Sequence, residues 1–142
     1  MGDHLFIDQK LSQLRGEIYG SKSTFYKRMY DQCRRYFSEN LPEEHPLKTI
    51  TYMGIASANL SLMFLISRQP AFLTEAKRWI DACLRYPHWG HGKDADVDLS
   101  AAWLLFGLGL SYDWLKSSLT EEDCIALRDR LALQGARMYD YK

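Results

Sequence analysis

The feature that most constrains the fold is a run from residue 49 to residue 67 that contains no charged side chain. Its length approaches the roughly 20 residues that cross a lipid bilayer as a helix. A second apolar stretch, residues 99–112, is too short to return across a membrane. Polar side chains also interrupt the run, among them Thr49, Thr51, Ser57, Asn59 and Ser61. We therefore interpret it as a helix that other helices surround, and we expect no membrane span.

Helical spacing of apolar residues extends along the whole chain. It predicts helices over residues 8–18 and 23–37, with Asp8 as a candidate N-cap and with Phe25, Met29 and Cys33 facing a core. Further helices are expected from residue 46 to 67, 71 to 85 and 98 to 115. Thr120 is expected to cap a last helix that reaches about Tyr139. Because no segment alternates with the period of a strand, the predicted class is all-α.

The predicted helices repeat as pairs. An apolar helix followed by an amphipathic helix occurs at residues 46–85 and again at residues 98–139. The spacing is about 50 residues, longer than the roughly 34 of a tetratricopeptide repeat. A ring of hairpins needs this alternation, because its inner helices touch protein on both sides while its outer helices face water. We predict a single domain over residues 1–142 that forms part of an (α/α) toroid.

The charge balance excludes some classes of partner. The chain of 142 residues has 18 basic and 18 acidic side chains, and its formal net charge is zero. This argues against a dedicated nucleic-acid or anionic-membrane binder. Four basic residues form a local cluster: Lys27, Arg28, Arg34 and Arg35. We interpret it either as a solvated face or as a surface that attracts an anionic polysaccharide. No secretory signal is recognisable at the N-terminus, although a full-length relative could be periplasmic or secreted.

The longest irregular segment and the helices after it carry a family resemblance. Residues 86–131 read YPHWGHGKDADVDLSAAWLLFGLGLSYDWLKSSLTEEDCIALRDRL. A YPxWG loop, an Asp-Leu pair opening an apolar helix, and Tyr-Asp-Trp-Leu before Leu-Thr-Glu-Glu resemble the N-terminal helical region of heparinase II/III-like polysaccharide lyases, which include alginate lyases. LFIDQKLSQLRGEI, residues 5–18, also resembles that region, although Asp3 and His4 replace its usual His-Pro. The likeness is strong over residues 86–131 and weak before Tyr52.

The resemblance implies a longer enzyme, with an α/α toroid followed by β-sandwich domains, that cleaves uronate-containing polysaccharides by β-elimination. This reaction needs a neutraliser for the uronate carboxylate, a base for the C5 proton and an acid for the leaving oxygen. In the family an Asn-His pair, a Tyr and a further His supply these groups. Here Asn40 precedes Leu41 and Asn59 precedes Leu60. The resemblance places the pair shortly after Lys142, so we expect scaffold and a partial subsite, without catalytic residues and inactive alone.

The candidate substrate-binding residues are His88, Trp89, His91 and Tyr112. An indole that stacks on a sugar ring, with imidazoles that donate to hydroxyls or to a carboxylate, would suit a subsite for a uronate-containing polysaccharide. The alternative is structural: Trp89 fills the gap between hairpins, the histidines are solvated, and Tyr112 packs at the rim of the core. Trp79 and Trp103 fall on apolar stripes and are predicted to lie in the core.

No metal or cofactor is expected. His88 and His91 with Asp94, Asp96 and Asp98 have no recognised ligand spacing, and Asp98 reads most simply as a helix N-cap. The cysteines form no CxxC pair and are predicted to be buried, inert thiols: Cys33, Cys83 and Cys124.

Two other functions stay open. One is a free-standing helical-hairpin interaction module. The other is a glycoside hydrolase of the α/α-barrel type, with its two carboxylates drawn from Asp96, Asp98 and Asp113. An unfinished ring would leave apolar edges, so a homo-oligomer through those edges is also expected.

Overall fold

The computed structural model describes residues 10–17, 20 and 23–140. These residues form no strand, and the predicted all-α class is confirmed. The six α-helices are α1 (Leu11–Glu17), α2 (Ser23–Tyr36), α3 (Ile50–Ser67), α4 (Pro70–Arg85), α5 (Leu99–Leu115) and α6 (Glu121–Tyr139). The helix predicted from residue 46 begins at Ile50, because Leu47–Thr49 form a short 3-10 helix that leads into α3. The predicted N-cap Asp8 and the start of the first predicted helix lie outside the described residues.

Helices α5 and α6 begin at the two N-caps that the sequence predicts. A side-chain oxygen of Asp98 accepts a hydrogen bond from the backbone N–H of Ala101 at 3.0 Å. Thr120 Oγ1 accepts from the backbone N–H of Asp123 at 3.1 Å. Each bond satisfies an N–H group that has no partner within its own helix. Local side-chain chemistry therefore sets both helix starts.

The core is organised around the crossing of α3 and α5, where two glycines let the backbones approach closely. A Cβ atom built on Gly107 would lie 2.5 Å from the carbonyl oxygen of Gly54. Leu104 and Leu108, on either side of Gly107, are fully buried. A side chain at residue 107 would therefore push the two helices apart.

Serines inside these apolar helices are satisfied by their own helix. Ser57 Oγ donates to the carbonyl of Met53 at 2.9 Å, and Ser61 Oγ donates to the carbonyl of Ser57 at 2.7 Å. Ser111 Oγ donates to the carbonyl of Gly107 at 3.0 Å. Because the bonds run back four residues, each hydroxyl is buried without an unsatisfied group.

Helices α2 and α4 pack beside α3. Trp79 is 1% exposed, which confirms its predicted place in the core. The guanidinium of Arg78 donates to the carbonyls of Tyr36 and Glu39 at 3.0 and 2.9 Å, so α4 holds the end of α2. Cys33 and Cys83 are buried as predicted, and burial raises the pKa of each thiol to about 12. Cys124 is free and only partly buried.

The outer side of α5 differs from the prediction. Trp103 is 48% exposed and Phe106 is 56% exposed, so the prediction that Trp103 lies in the core is wrong. With Ile55 of α3 they border a groove of about 220 Å³ that no other described helix covers. Phe25 of α2, also predicted to face the core, is 73% exposed. Both predictions failed because helical spacing identifies an apolar face but does not supply the neighbour that covers it.

The segment Leu47–Ser67 is long and apolar enough to cross a membrane by length and composition. In the structure 61% of its most apolar window is buried against other helices. This packing is typical of a core helix.

Candidate functional site: the histidine loop

Residues 86–98, which connect α4 to α5, are called the histidine loop here. Trp89 within it is fully buried. Its Nε1 donates to the carbonyl of Cys83 at 3.0 Å, and the guanidinium of Arg130 lies 4.6 Å from its ring centroid. The prediction that Trp89 stacks on a sugar is therefore wrong for this structure, because α4 and α6 enclose the indole. The structure shows the alternative, a side chain that fills the gap between the hairpins.

The loop is shaped by Gly90 and Asp98. A Cβ atom on Gly90 would lie 2.3 Å from both the carbonyl oxygen of Ala95 and Oδ1 of Asp98, so only glycine fits. Asp98 Oδ2 accepts from the backbone N–H groups of His91 at 2.9 Å and Gly92 at 3.0 Å. Burial alone would raise the pKa of Asp98, but these donors and the N–H of Ala101 outweigh it and lower the pKa.

This bonding bears on the glycoside hydrolase alternative. Both carboxylate oxygens of Asp98 accept backbone N–H groups, which suits a structural role rather than proton transfer. Asp96 Oδ1 lies 3.3 Å from Arg137, and Asp113 Oδ1 lies 3.1 Å from Lys116. The three candidate carboxylates therefore have separate partners.

The structure adds a third histidine to the two predicted ones. His45 lies in the segment before α3, and its ring centroid is 4.3 Å from that of His88. His45 Nδ1 accepts from the backbone N–H of Leu47 at 2.9 Å, which assigns the proton of the neutral ring to Nε2. His88 Nδ1 lies 2.9 Å from the carbonyl oxygen of Gly90, which only accepts, so that nitrogen carries the proton.

Sequence reasoning missed His45 because it is 43 residues from His88 and belongs to no motif. Burial lowers the pKa of His45 below its usual 6.5, and repulsion from His88 and His91 lowers it further. The neutral form of His45 is therefore favoured near pH 7. A negative ligand beside the rings would oppose this repulsion and favour the protonated forms.

His91 is exposed and joins the loop to both core helices. Its Nδ1 lies 2.9 Å from Ser100 Oγ at the start of α5. Thr51 Oγ1 of α3 donates to the same Ser100 oxygen at 3.0 Å. The Ser100 oxygen therefore links His91 to both α5 and α3.

Tyr112 is not part of this cluster. It lies twelve residues beyond Ser100 on α5, about 18 Å along the helix at 1.5 Å per residue. There it is half-buried and packs against the core. Of the four predicted site residues, the structure brings together His88 and His91, buries Trp89 behind them and places Tyr112 towards the other end of the helix.

Among residues 10–17, 20 and 23–140, no group of three or more His, Cys, Asp or Glu side chains is arranged to hold a metal ion. No protein-family model and no curated protein matches the chain. The resemblance of residues 86–131 to polysaccharide lyases therefore stays a prediction from the sequence.

Proposed function

We propose that this chain is the N-terminal hairpin region of an α/α toroid in a polysaccharide lyase, where the histidine loop contributes a subsite for an acidic sugar. The observation that carries the proposal is the contact of His45 with His88, whose ring centroids lie 4.3 Å apart, with His91 three residues along the same loop. It lies at the YPHWG loop, the motif on which the family resemblance depends. Two all-helical hairpins, α3 with α4 and α5 with α6, support the scaffold role.

The cluster suits a carboxylate. Imidazole donates a hydrogen bond when neutral and adds a positive charge when protonated, so it can bind or neutralise a uronate. The nearest carboxylate of the loop, Asp98, is already bonded to three backbone N–H groups. Asp98 therefore competes little with a ligand carboxylate for the imidazoles. Gly90 and Asp98 hold the loop in one shape, which lowers the entropic cost of binding.

No step of β-elimination is assigned to this chain. Its two asparagines, Asn40 and Asn59, precede leucines rather than a histidine. The amide of Asn59 is committed to the hydroxyl of Tyr36 at 3.2 Å. The role proposed for His45, His88 and His91 is to bind and orient an acidic sugar, and no proton transfer is assigned to them.

A binding comparison tests the proposal. The protein is titrated with a tetrasaccharide of mannuronate and, in parallel, with a neutral maltotetraose, while the imidazole resonances are followed by NMR. We expect the acidic ligand alone to shift His88 and His91. The substitution His91→Ala should weaken binding roughly tenfold, as expected for a lost charged hydrogen bond.

Lys93→Ala provides the matched control, because Lys93 is an exposed cation of the same loop. If Lys93→Ala weakens binding as much as His91→Ala, the attraction is a general charge effect and the proposed subsite is wrong. Equal affinity for the acidic and neutral tetrasaccharides would also reject it.

The exposed groove between α3 and α5 favours a second candidate, a helical-hairpin interaction module. Trp103 and Phe106 form an edge-to-face pair there, with ring centroids 6.3 Å apart. A module of this kind should associate through the groove, and Phe106→Glu should abolish that association in light scattering. A wild-type chain that stays monomeric at high concentration would count against self-association through this face.

A further inference from the structure

A second cavity, called the Tyr52 pocket here, lies between the end of α2, the segment that leads to α3, and α4. Its volume is about 420 Å³, within the roughly 300–1,000 Å³ of small-molecule sites. Apolar and aromatic side chains form most of its walls: Leu41, Pro42, Pro46, Tyr52, Met53 and Trp79. The function proposed above uses none of these residues, so the pocket is a candidate site for a different ligand.

Hydrogen bonds to two prolines fix the walls of the pocket. The hydroxyl of buried Tyr86 donates to the carbonyl of Pro42 at 2.6 Å. Thr49 Oγ1 donates to the carbonyl of Pro46 at 3.0 Å. Because both main-chain segments are held in place, the cavity is formed before a ligand arrives, and this lowers the entropic cost of binding.

Glu39 gives the pocket an anionic end. Its Oε1 accepts a hydrogen bond from the hydroxyl of Tyr52 at 2.6 Å, and Arg78 donates to its backbone carbonyl at 2.9 Å. The carboxylate and its main chain are therefore both positioned. A carboxylate has about four acceptor positions, so the bond from Tyr52 leaves Glu39 able to accept from the ammonium group of a ligand.

Lys48 gives the pocket a cationic end. It is exposed and follows Leu47, whose φ of 56° lies in the left-handed region that a leucine rarely adopts. Strained backbone of this kind is concentrated at binding and active sites. The turn brings Pro46 and Lys48 to the same cavity, whereas Leu47 between them is 66% exposed. A strained conformation therefore places an ammonium group at the edge of the pocket.

The two charges select the kind of ligand. A ligand with a single charge is attracted by one of Glu39 and Lys48 and repelled by the other. A ligand with both an ammonium and a carboxylate group is attracted by both. An α-amino acid carries these two groups on one carbon atom, and an apolar side chain on that carbon suits the walls of the pocket.

We infer that the Tyr52 pocket binds a free apolar α-amino acid, with its ammonium group at Glu39, its carboxylate at Lys48 and its side chain against the apolar walls. The inference goes beyond the proposed function and does not rest on it, because the acidic subsite is formed by the histidines.

The test titrates the protein by calorimetry with three ligands that share one side chain and differ in charge. L-Leucine is a zwitterion, leucinamide has the ammonium group alone and N-acetyl-leucine has the carboxylate alone, at about pH 6.5. We expect L-leucine to bind about tenfold more tightly than either analogue, the contribution of one charged hydrogen bond. Equal affinity for the three ligands, or no binding of L-leucine at about 10 mM, overturns the inference.

Two substitutions assign the two charges. Lys48→Met should weaken L-leucine binding about tenfold and leave leucinamide unchanged, because leucinamide has no carboxylate. Glu39→Gln should weaken both L-leucine and leucinamide and leave N-acetyl-leucine unchanged. A substitution that changes the affinity for all three ligands equally contradicts the role assigned to that charge.

Glu43→Gln and Lys93→Met are the matched controls, because both residues are exposed and neither lines the pocket. If the controls weaken L-leucine binding as much as the pocket variants do, the attraction is a general charge effect and the inference is wrong. Lys48 is exposed, so Lys48→Met tests the pocket even if Glu39→Gln disturbs folding, which circular dichroism would identify. His91→Ala should leave the affinity for L-leucine unchanged, so the pocket and the acidic subsite fail independently.

Discussion

Helices α3 and α5 are alike in length and apolar composition but differ in their surroundings. They have 18 and 17 residues, and each is apolar around its whole circumference. In α3, 11 residues are buried, whereas α5 has eight buried residues and exposes Trp103 and Phe106. An apolar composition therefore predicts that a helix will be buried, but the rest of the fold decides which neighbours bury it.

The uncovered face of α5 bears on the toroid proposal. In a ring of hairpins, an inner helix has protein on both sides, and in the described residues α5 has α3 and α6 as its main neighbours. The proposal therefore predicts that further chain covers Trp103 and Phe106. The interaction-module alternative predicts that another protein covers them. Four predictions test the faces of α5, its crossing with α3 and the segments that lead into these two helices. They begin with the largest expected effect.

The first prediction compares two faces of α5. Leu108 is fully buried and Phe106 is 56% exposed. Leu108→Ala should lower the free energy of unfolding by about 2–5 kcal/mol, because it leaves a cavity beside α3. Phe106→Ala should change it by less than about 0.5 kcal/mol. Urea denaturation of both variants measures the difference. A large loss in Phe106→Ala would mean that this face is covered in solution.

The second prediction concerns the crossing of the two helices. Gly107→Ala should destabilise the protein by about 1–3 kcal/mol, because its new methyl group meets the backbone of Gly54. Gly109, two residues along, has nothing within 4 Å of a built Cβ. Gly109→Ala should therefore stabilise α5 by about 0.5–1 kcal/mol. Thermal unfolding of this matched pair tests the close approach, and the same sign for both variants would contradict it.

The third prediction concerns the polar start of α5. Asp98→Ala removes the acceptor of three backbone N–H groups and should cost about 1–2 kcal/mol. It should also broaden the NMR signals of His88 and His91, because the loop loses its anchor. Asp94→Ala, an exposed neighbour, serves as the control and should leave stability and signals unchanged. An unperturbed loop in Asp98→Ala would show that Gly90 and the packing of Trp89 suffice to shape it.

The smallest effect concerns pH and the segment before α3. The pKa of His45 in the folded state lies below its usual 6.5, so the unfolded chain binds a proton more readily. The stability contributed by neutral His45 is therefore present above pH 6.5 and is lost as pH falls towards the lowered pKa. Burial lowers the pKa of His45 most, and repulsion from His88 and His91 lowers it further. The carbonyl of Gly90 favours the protonated ring and raises the pKa.

We expect His45→Gln to reduce the drop in stability between about pH 7.5 and about pH 5.5. Urea denaturation at both pH values gives the comparison. An identical drop in the wild-type protein and the variant would assign the pH dependence to other groups.

Much of the secondary structure followed from the sequence. The starts of α5 and α6 at Asp98 and Thr120 were predicted within a residue, because capping is decided by the next three residues. The surroundings of Trp89 and Trp103 did not follow from the sequence. The indole of Trp89 is enclosed by Cys83 and Arg130 although its neighbours along the chain are histidines and glycines. Trp103 has no described cover although it stands in an apolar run.

The candidate site was predicted in part. His88 and His91 were identified because they are close together in one loop. His45 was missed, and it joins them only after the segment before α3 packs against Tyr86, a contact between residues 41 positions apart. No local pattern reports such a contact, because it depends on the relative placement of two hairpins.

By itself, therefore, the sequence determined the all-α class, the bounds of most helices and the N-caps of α5 and α6, since these depend on hydrogen bonds and spacings within a few residues. Tertiary structure alone decided which apolar faces are covered and which histidines meet. The physical reason is that both outcomes depend on how closely α3 and α5 approach at Gly54 and Gly107 and on how the connecting segments then fit over their ends.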